Sequence, residues 1–162
     1  MATALKNLSE HEKVALRKPE KLRIAIVTAN WNTHFTQALE DGAVDCLRQH
    51  GLNDKHIRVE KVAGSYELPL AAQWLATEWK ADAVIALGCL IKGETPHFEY
   101  ISEAVAHGLM EVNLKLNKPM IFGVITVLTE QQALDRAGGI HGNKGVEAAV
   151  TALQMLALRD RL

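Results

Sequence analysis
The sequence predicts an α/β protein, a three-layer α/β/α sandwich built on a four-stranded parallel sheet. Two observations carry this expectation. Short apolar runs of strand character alternate with stretches whose apolar residues recur at helical spacing, the pattern of a doubly wound sheet with helices on both faces. Residues with chemical character, among them Trp31, Glu67 and His97, fall just beyond the ends of those runs, where open α/β sheets hold their ligands. A length of 162 residues fits one domain with a substantial core.

Residues 1–20 are polar, include Pro19 and lack periodicity, which predicts an N-terminal arm ahead of a domain spanning 21–162. Arms of this kind often pack on a neighbouring subunit. Residues 22–28 form the first expected strand. Phe35, Leu39, Ala43, Cys46 and Leu47 then mark a helix that Gly51 would close at its C-terminus. Ile57–Val62 alternates apolar and polar residues, as a strand with one wetter face does. A second helix is expected over 69–79, with Pro69 in its first turn and an apolar stripe of Leu68, Ala72, Leu75, Ala76 and Trp79. Residues 83–87 read as a buried strand, followed by a loop that delivers His97 to the start of a long helix, His97–Leu116. That helix carries Ile101, Val105, Leu109 and Val112 on one face. Residues 120–124 supply the fourth strand. Thr129-Glu-Gln-Gln132 has the form of a capping box, so a short helix starts there and ends before Gly138-Gly139; a last helix begins near Lys144.

A net charge of −1 provides no broad basic field, so nucleic acid and anionic membrane surfaces are disfavoured partners. No run approaches the roughly eighteen apolar residues of a membrane span, and the N-terminus lacks the apolar core of a signal peptide. The two cysteines show no pairing motif, which points to a reduced, cytoplasmic setting; a trimmed organellar precursor would read the same way. The seven histidines show no ligand spacing with one another or with cysteine, which argues against a metal site.

The segments that bear chemistry each have a plainer alternative. His97 stands at a helix start, whose positive dipole end opposes a second positive charge on the imidazole, and this suits proton transfer; it would otherwise be a capping or packing histidine. Gly138-Gly-Ile-His-Gly-Asn-Lys-Gly145 is glycine-rich and opens a helix, as a phosphate cradle does, with Arg136 just before it. It departs from a nucleotide P-loop, because Asn143 separates Gly142 from Lys144 and Gly145 follows where Ser or Thr belongs. Arg136 suits a phosphate fork or, more simply, a solvated helix-end charge. Trp31 and Asn32 follow the first strand, offering a ring to stack on a planar heterocycle and an amide for its edge, unless Trp31 is merely packed. Ser65 and Glu67 lie beyond the second strand, where Glu67 also fits as a helix-dipole partner.

Four segments, Gly64-Ser-Tyr-Glu-Leu-Pro69, Leu87-Gly-Cys-Leu-Ile-Lys-Gly-Glu-Thr-Pro-His-Phe-Glu-Tyr100, Phe122-Gly-Val, and Arg136-Ala-Gly with Gly142-Asn-Lys-Gly145, resemble lumazine synthases in order and spacing over residues 22–158. The resemblance implies a flavodoxin-like fold and the penultimate step of riboflavin biosynthesis. The enzyme would be a transferase that condenses 5-amino-6-ribitylaminouracil with 3,4-dihydroxy-2-butanone 4-phosphate to 6,7-dimethyl-8-ribityllumazine, phosphate and water, with no metal or organic cofactor. It implies that His97 transfers protons with Glu147 as its orienting partner, that Arg136 holds the phosphate, and that Trp31 stacks on the pyrimidine. Asn32, Ser65 and Glu67 would hold the polar edge and ribityl chain, Leu90 and Ile91 would line the site, and Glu94 and Thr95 would bring backbone amides toward the phosphate. It further implies a homopentamer with sites between subunits, in which the positions of Phe122, Arg136 and Lys144 come from the neighbour.

Three features set this chain apart within that resemblance. Trp31 stands where the bacterial enzymes more often carry Phe; Trp is found in fungal members, in which the site can also retain riboflavin. Lys92 replaces a common Arg, keeping the charge without the fork. The short segment 138–145 is the form of icosahedral members, which implies a sixty-subunit shell of twelve pentamers with riboflavin synthase as a candidate enclosed partner. Two other readings stay open at this level: a flavodoxin-like module that binds FMN or riboflavin without catalysis, and a shell protein without activity, against which the presence of His97 and Arg136 argues.

Overall fold
The computed structural model describes residues 7–162, so the first six residues of the expected arm lie outside it. Four strands, β1 (Ile24–Ala29), β2 (Ile57–Val62), β3 (Ala83–Ile91) and β4 (Met120–Val127), form one parallel sheet in the order β2-β1-β3-β4. This is the flavodoxin-like order. From β1 the chain passes through α1 (Thr33–Gln49) to β2, then reverses through α2 (Leu68–Thr77) to β3 and through α3 (His97–Leu116) to β4. Right-handed crossovers that run in opposite directions put α1 on one face of the sheet and α2 and α3 on the other. The chain then returns to the α1 face through α4 (Glu130–Arg136), a small hairpin of β5 (Ala137–Gly139) and β6 (Gly142–Asn143), and α5 (Lys144–Arg159).

The period-two alternation of the strands feeds two cores. Ile24 and Ile26 of β1 and Ala83, Ile85 and Leu87 of β3 point to the layer of α1 and α5, where Phe35, Leu39, Leu47, Leu153 and Leu156 meet them. Ala25, Val27, Val84 and Ala86 point to the other layer, against Leu68, Ala72, Val105 and Leu109. Each fully buried Ile or Leu contributes about 1.5–3 kcal/mol. The central strands therefore hold the frame from which the loops project. β2 is an edge strand, and its alternation leaves Val59 exposed.

Helix ends follow the expected chemistry. Gly51 adopts φ +87° just past α1, and Thr129 Oγ1 accepts from Gln132 N at 3.2 Å while Gln132 Oε1 accepts from Leu128 N at 2.8 Å. The expected strands 83–87 and 120–124 both run on, to Ile91 and Val127, pairing Cys89 with Ile125 and Ile91 with Val127. Gly88, which reads as the start of a loop, is a strand residue. A Cβ there would lie 2.6 Å from Ser65 Oγ, so the glycine makes room for the loop after β2. The expected glycine cradle at 138–145 is the β5–β6 hairpin, with Gly138 at φ +115° and Gly142 at φ +80°.

The described part of the arm lies along its own chain. Val14 and Leu16 pack on the core shared by α1 and α5, His11 stacks on His50 with ring centroids 5.4 Å apart, and Leu8 N donates to His141 O at 2.7 Å. Among the described residues no helix is long and apolar enough to cross a membrane.

Candidate active site at the sheet switch point
The direction of chain progression reverses between β1 and β3, and the space outside the carboxyl ends of these two strands is where open α/β sheets form their ligand crevice. The backbone there is pinned. Asn30 N donates to Val62 O at 2.8 Å and Trp31 N to Ala63 O at 3.2 Å, which carries the β1–β2 ladder past the last strand residues. Asn32 takes φ +61°, a left-handed conformation that asparagine tolerates, and its Nδ2 donates to Cys89 O at 3.0 Å. That contact ties the turn after β1 to β3, and the neighbouring Trp31 is 72% exposed.

The loop after β2 reaches the same place. Ser65 is buried, its hydroxyl against Gly88 of β3, and it opens a short 3-10 turn (Ser65–Glu67) that leads into α2. Glu67 is exposed, with Oε2 accepting from Gly64 N at 2.9 Å, so the carboxylate serves its own turn as well as facing solvent. Leu90 and Ile91, half-buried at the end of β3, face opposite sides of the sheet, Leu90 toward the α2 and α3 layer and Ile91 toward the α1 and α5 layer. Glu94, Thr95 and His97 are exposed on the segment that follows, with His97 the first residue of α3. Lys92 Nζ donates to Glu99 Oε1 at 2.5 Å, which spans this segment and holds the Glu99 carboxyl below its ordinary range. Cys89 is buried beneath it, and loss of water around the sulfur pushes its thiol up to about 11; it is no nucleophile at neutral pH.

The remaining candidates lie elsewhere. Phe122 is half-buried on β4, the edge strand on the far side of β3, and faces the α2 and α3 layer. Arg136 closes α4, with Nη1 donating to Gln132 O at 3.0 Å. Lys144 and Glu147 stand in the first turn of α5, joined Nζ to Oε1 at 2.9 Å with side chains only 17% and 24% exposed. The sheet thus lies between α3, which carries His97, and α5, which carries Glu147. Trp31, Asn32, Ser65, Glu67, Leu90, Ile91, Glu94, Thr95 and His97 form one group at the ends of β1, β2 and β3, and Arg136, Lys144 and Glu147 a second where α4 and α5 meet.

One residue with a positioning contact has no counterpart among the sequence expectations. Asn143 caps α5 through Oδ1 and donates from Nδ2 to Ala38 O of α1 at 2.8 Å. The signal available for it is Gly42, a glycine in the middle of a 17-residue helix, against which that amide rests. A cavity of about 440 Å³ lined by Arg58, Lys61, Trp74 and Trp79 lies between β2 and α2, apart from both groups.

The family model described as 6,7-dimethyl-8-ribityllumazine synthase matches residues 21–160. A protein of that name from Cytophaga hutchinsonii is 52% identical over 157 residues, covering 97% of this chain and 98% of its own. Those from Porphyromonas gingivalis and Aquifex aeolicus are each 48% identical, over 98% and 86% of this chain and 98% and 90% of theirs. A near-full-length match at this identity spans both groups of residues and the frame that carries them, and the chain belongs to the 6,7-dimethyl-8-ribityllumazine synthase family.

Proposed function
We propose that the chain is a transferase that condenses 5-amino-6-ribitylaminouracil with 3,4-dihydroxy-2-butanone 4-phosphate to 6,7-dimethyl-8-ribityllumazine. The observation that carries this reading is the grouping of an exposed aromatic ring, a buried hydroxyl, a carboxylate and a helix-start histidine around one switch-point crevice. Trp31 suits stacking on the pyrimidine, and Ser65, Glu67 and Asn32 suit its polar edge and ribityl chain.

The chemistry asks for proton movement rather than a covalent enzyme intermediate. The 5-amino nitrogen adds to the ketone, and loss of one water gives a Schiff base. Removal of the proton at C3 expels phosphate from C4 and leaves an enol, which takes up a proton at C4 and becomes a new carbonyl at C3; attack by the ribitylamino nitrogen on that carbonyl, with loss of a second water, closes the ring. His97, exposed at the start of α3, suits the giving and taking of these protons. The roles of Glu94 and Thr95 are to turn backbone amides toward the phosphate.

The cationic group needs a second copy. Arg136 and Lys144 fit the departing phosphate, but they sit on the layer opposite His97. A neighbouring chain that offers its Phe122, Arg136, Lys144 and Glu147 to the crevice completes the site, with Glu147 of the neighbour orienting His97. A closed ring of identical head-to-tail contacts is the assembly that gives every crevice such a neighbour. A pentamer meets this need, and twelve pentamers with the short 138–145 segment form the sixty-subunit shell, in which riboflavin synthase is the candidate guest. The cytoplasm is the compartment that suits two reduced, buried thiols.

Mixing the purified protein with both substrates and following the green fluorescence of the lumazine product tests the reading. A rate that scales with protein above the uncatalysed reaction is the expected result. No acceleration, with flavin bound instead, would favour a binding module.

A further inference from the structure
We infer that Asn143 is a positioning residue for the phosphate side of the site, locking the first turn of α5 to the backbone of α1 and so setting where Lys144 and Arg136 stand. The inference rests on the reading of those two cations as the phosphate side. Asn143 Oδ1 accepts from Gly145 N at 2.7 Å and Val146 N at 3.3 Å, which caps α5. Nδ2 donates to Ala38 O in α1 at 2.8 Å. The backbone of Asn143 pairs with Ala137, the residue after Arg136, and its N–H donates to Ser9 Oγ at 2.9 Å. One residue therefore ties together the end of α4, the start of α5, the middle of α1 and the arm.

Capping alone does not require this arrangement, since Ser or Asp would satisfy the same two amides. The contact to Ala38 is the additional one, and α1 is shaped for it. Gly42 lies one turn on from Ala38, and a Cβ there would come within 2.6 Å of Asn143 Nδ2 and 2.7 Å of Cγ. Helices disfavour an interior glycine, yet here it forms the notch that seats the amide. Gly145 makes the second close approach: a Cβ there would run into the Leu39 carbonyl. Lys144 stands between Asn143, whose side-chain amide is seated on α1, and Gly145, whose backbone comes close to the Leu39 carbonyl, and its ammonium is held by Glu147 at 2.9 Å. The backbone that carries the phosphate-side cation is thus set by the Asn143 amide and the Gly145 approach on α1, and Glu147 steadies the ammonium at the end of its stem.

Two variants test this in the assembled enzyme. Asn143→Ser keeps a capping oxygen but is too short to reach Ala38, and Gly42→Ala keeps Asn143 while filling its notch. Each is expected to raise KM for the phosphate-bearing ketone about tenfold, with the Kd of the pyrimidine substrate changed less than about twofold and the sedimentation of the assembly unaltered. The double variant is expected to match the worse single variant, because both break one contact. Unchanged KM in folded Asn143→Ser, or equal losses for both substrates, or additive losses in the double variant, would overturn the inference. Asn143→Ser carries the test alone if Gly42→Ala fails to assemble. Arg136→Ala is the control for the parent reading: if it leaves KM for the ketone untouched, the phosphate assignment itself fails, whatever Asn143 does.

Discussion
The crevice at the ends of β1 and β3 and the corner where α4, the small hairpin and α5 meet reach order by different means. The crevice sits on buried central strands, so its backbone is fixed by the sheet ladder, and its side chains, Trp31, Glu67 and His97, are left exposed. The corner joins a two-stranded hairpin to α5 packed on α1 and gains its local order from glycines and one amide, with Lys144 and Glu147 mostly covered and paired to each other. A region built on a large sheet leaves its functional groups free for a planar ligand. A region without that support needs specific close contacts to hold a charge in one place.

Substitutions separate the two. The largest effect is expected for His97→Ala, which removes the proton carrier: kcat falls about a hundredfold or more while pyrimidine affinity, read by equilibrium titration, stays within about twofold. Arg136→Ala acts on the other substrate, raising KM for the ketone phosphate by about 10–100-fold with little change in pyrimidine binding. Matching losses for both substrates in both variants would erase the distinction between the regions.

Gly88→Ala tests how closely the crevice loops are packed. The new methyl meets Ser65 Oγ, and a loss of about 1–3 kcal/mol of stability in urea unfolding is expected, relieved in part by Ser65→Ala. Cys46 and Cys89 give a smaller, pH-dependent effect, because burial pushes both thiols up to about 11. The folded chain keeps these protons where the unfolded chain has lost them, so stability is full below the ordinary thiol range and declines as pH rises toward 11. Alkylation of the native protein at pH 8 should accordingly be slow, and fast after unfolding. The smallest change is expected for Lys92→Met, since Lys92 and Glu99 are both about half exposed. Glu99 titrates low in the fold, so the pair's contribution is present above the ordinary carboxylate range and is lost as pH falls through the lowered value.

The frame was legible because apolar periodicity reports burial directly: β2 and α3 begin and end where the pattern says. Gly88 was misleading for a physical reason, since a glycine that admits a neighbouring Ser65 looks in sequence like one that breaks a strand. Leu90 and Ile91 lie within the extended β3, whereas the positions of Trp31, Asn32, Ser65 and Glu67 just after strands were legible. The corner was not: a glycine-rich segment suggests an open cradle, whereas its glycines form a tight hairpin and a helix-to-helix approach. Nothing local marks Gly42 and Asn143 as partners, because they meet across about a hundred residues of chain, through the Asn143 contact to Ala38.

On the proposed reading, crevice and corner work together across two copies of the chain. The direct test is to refold His97→Ala and Arg136→Ala together and assay the mixed assemblies for lumazine formation. Head-to-tail sharing predicts that about a quarter of the sites carry both intact residues and that activity rises well above the sum of the two variants. Mixed assemblies with no gain over that sum would place both residues in one chain's site and contradict the account.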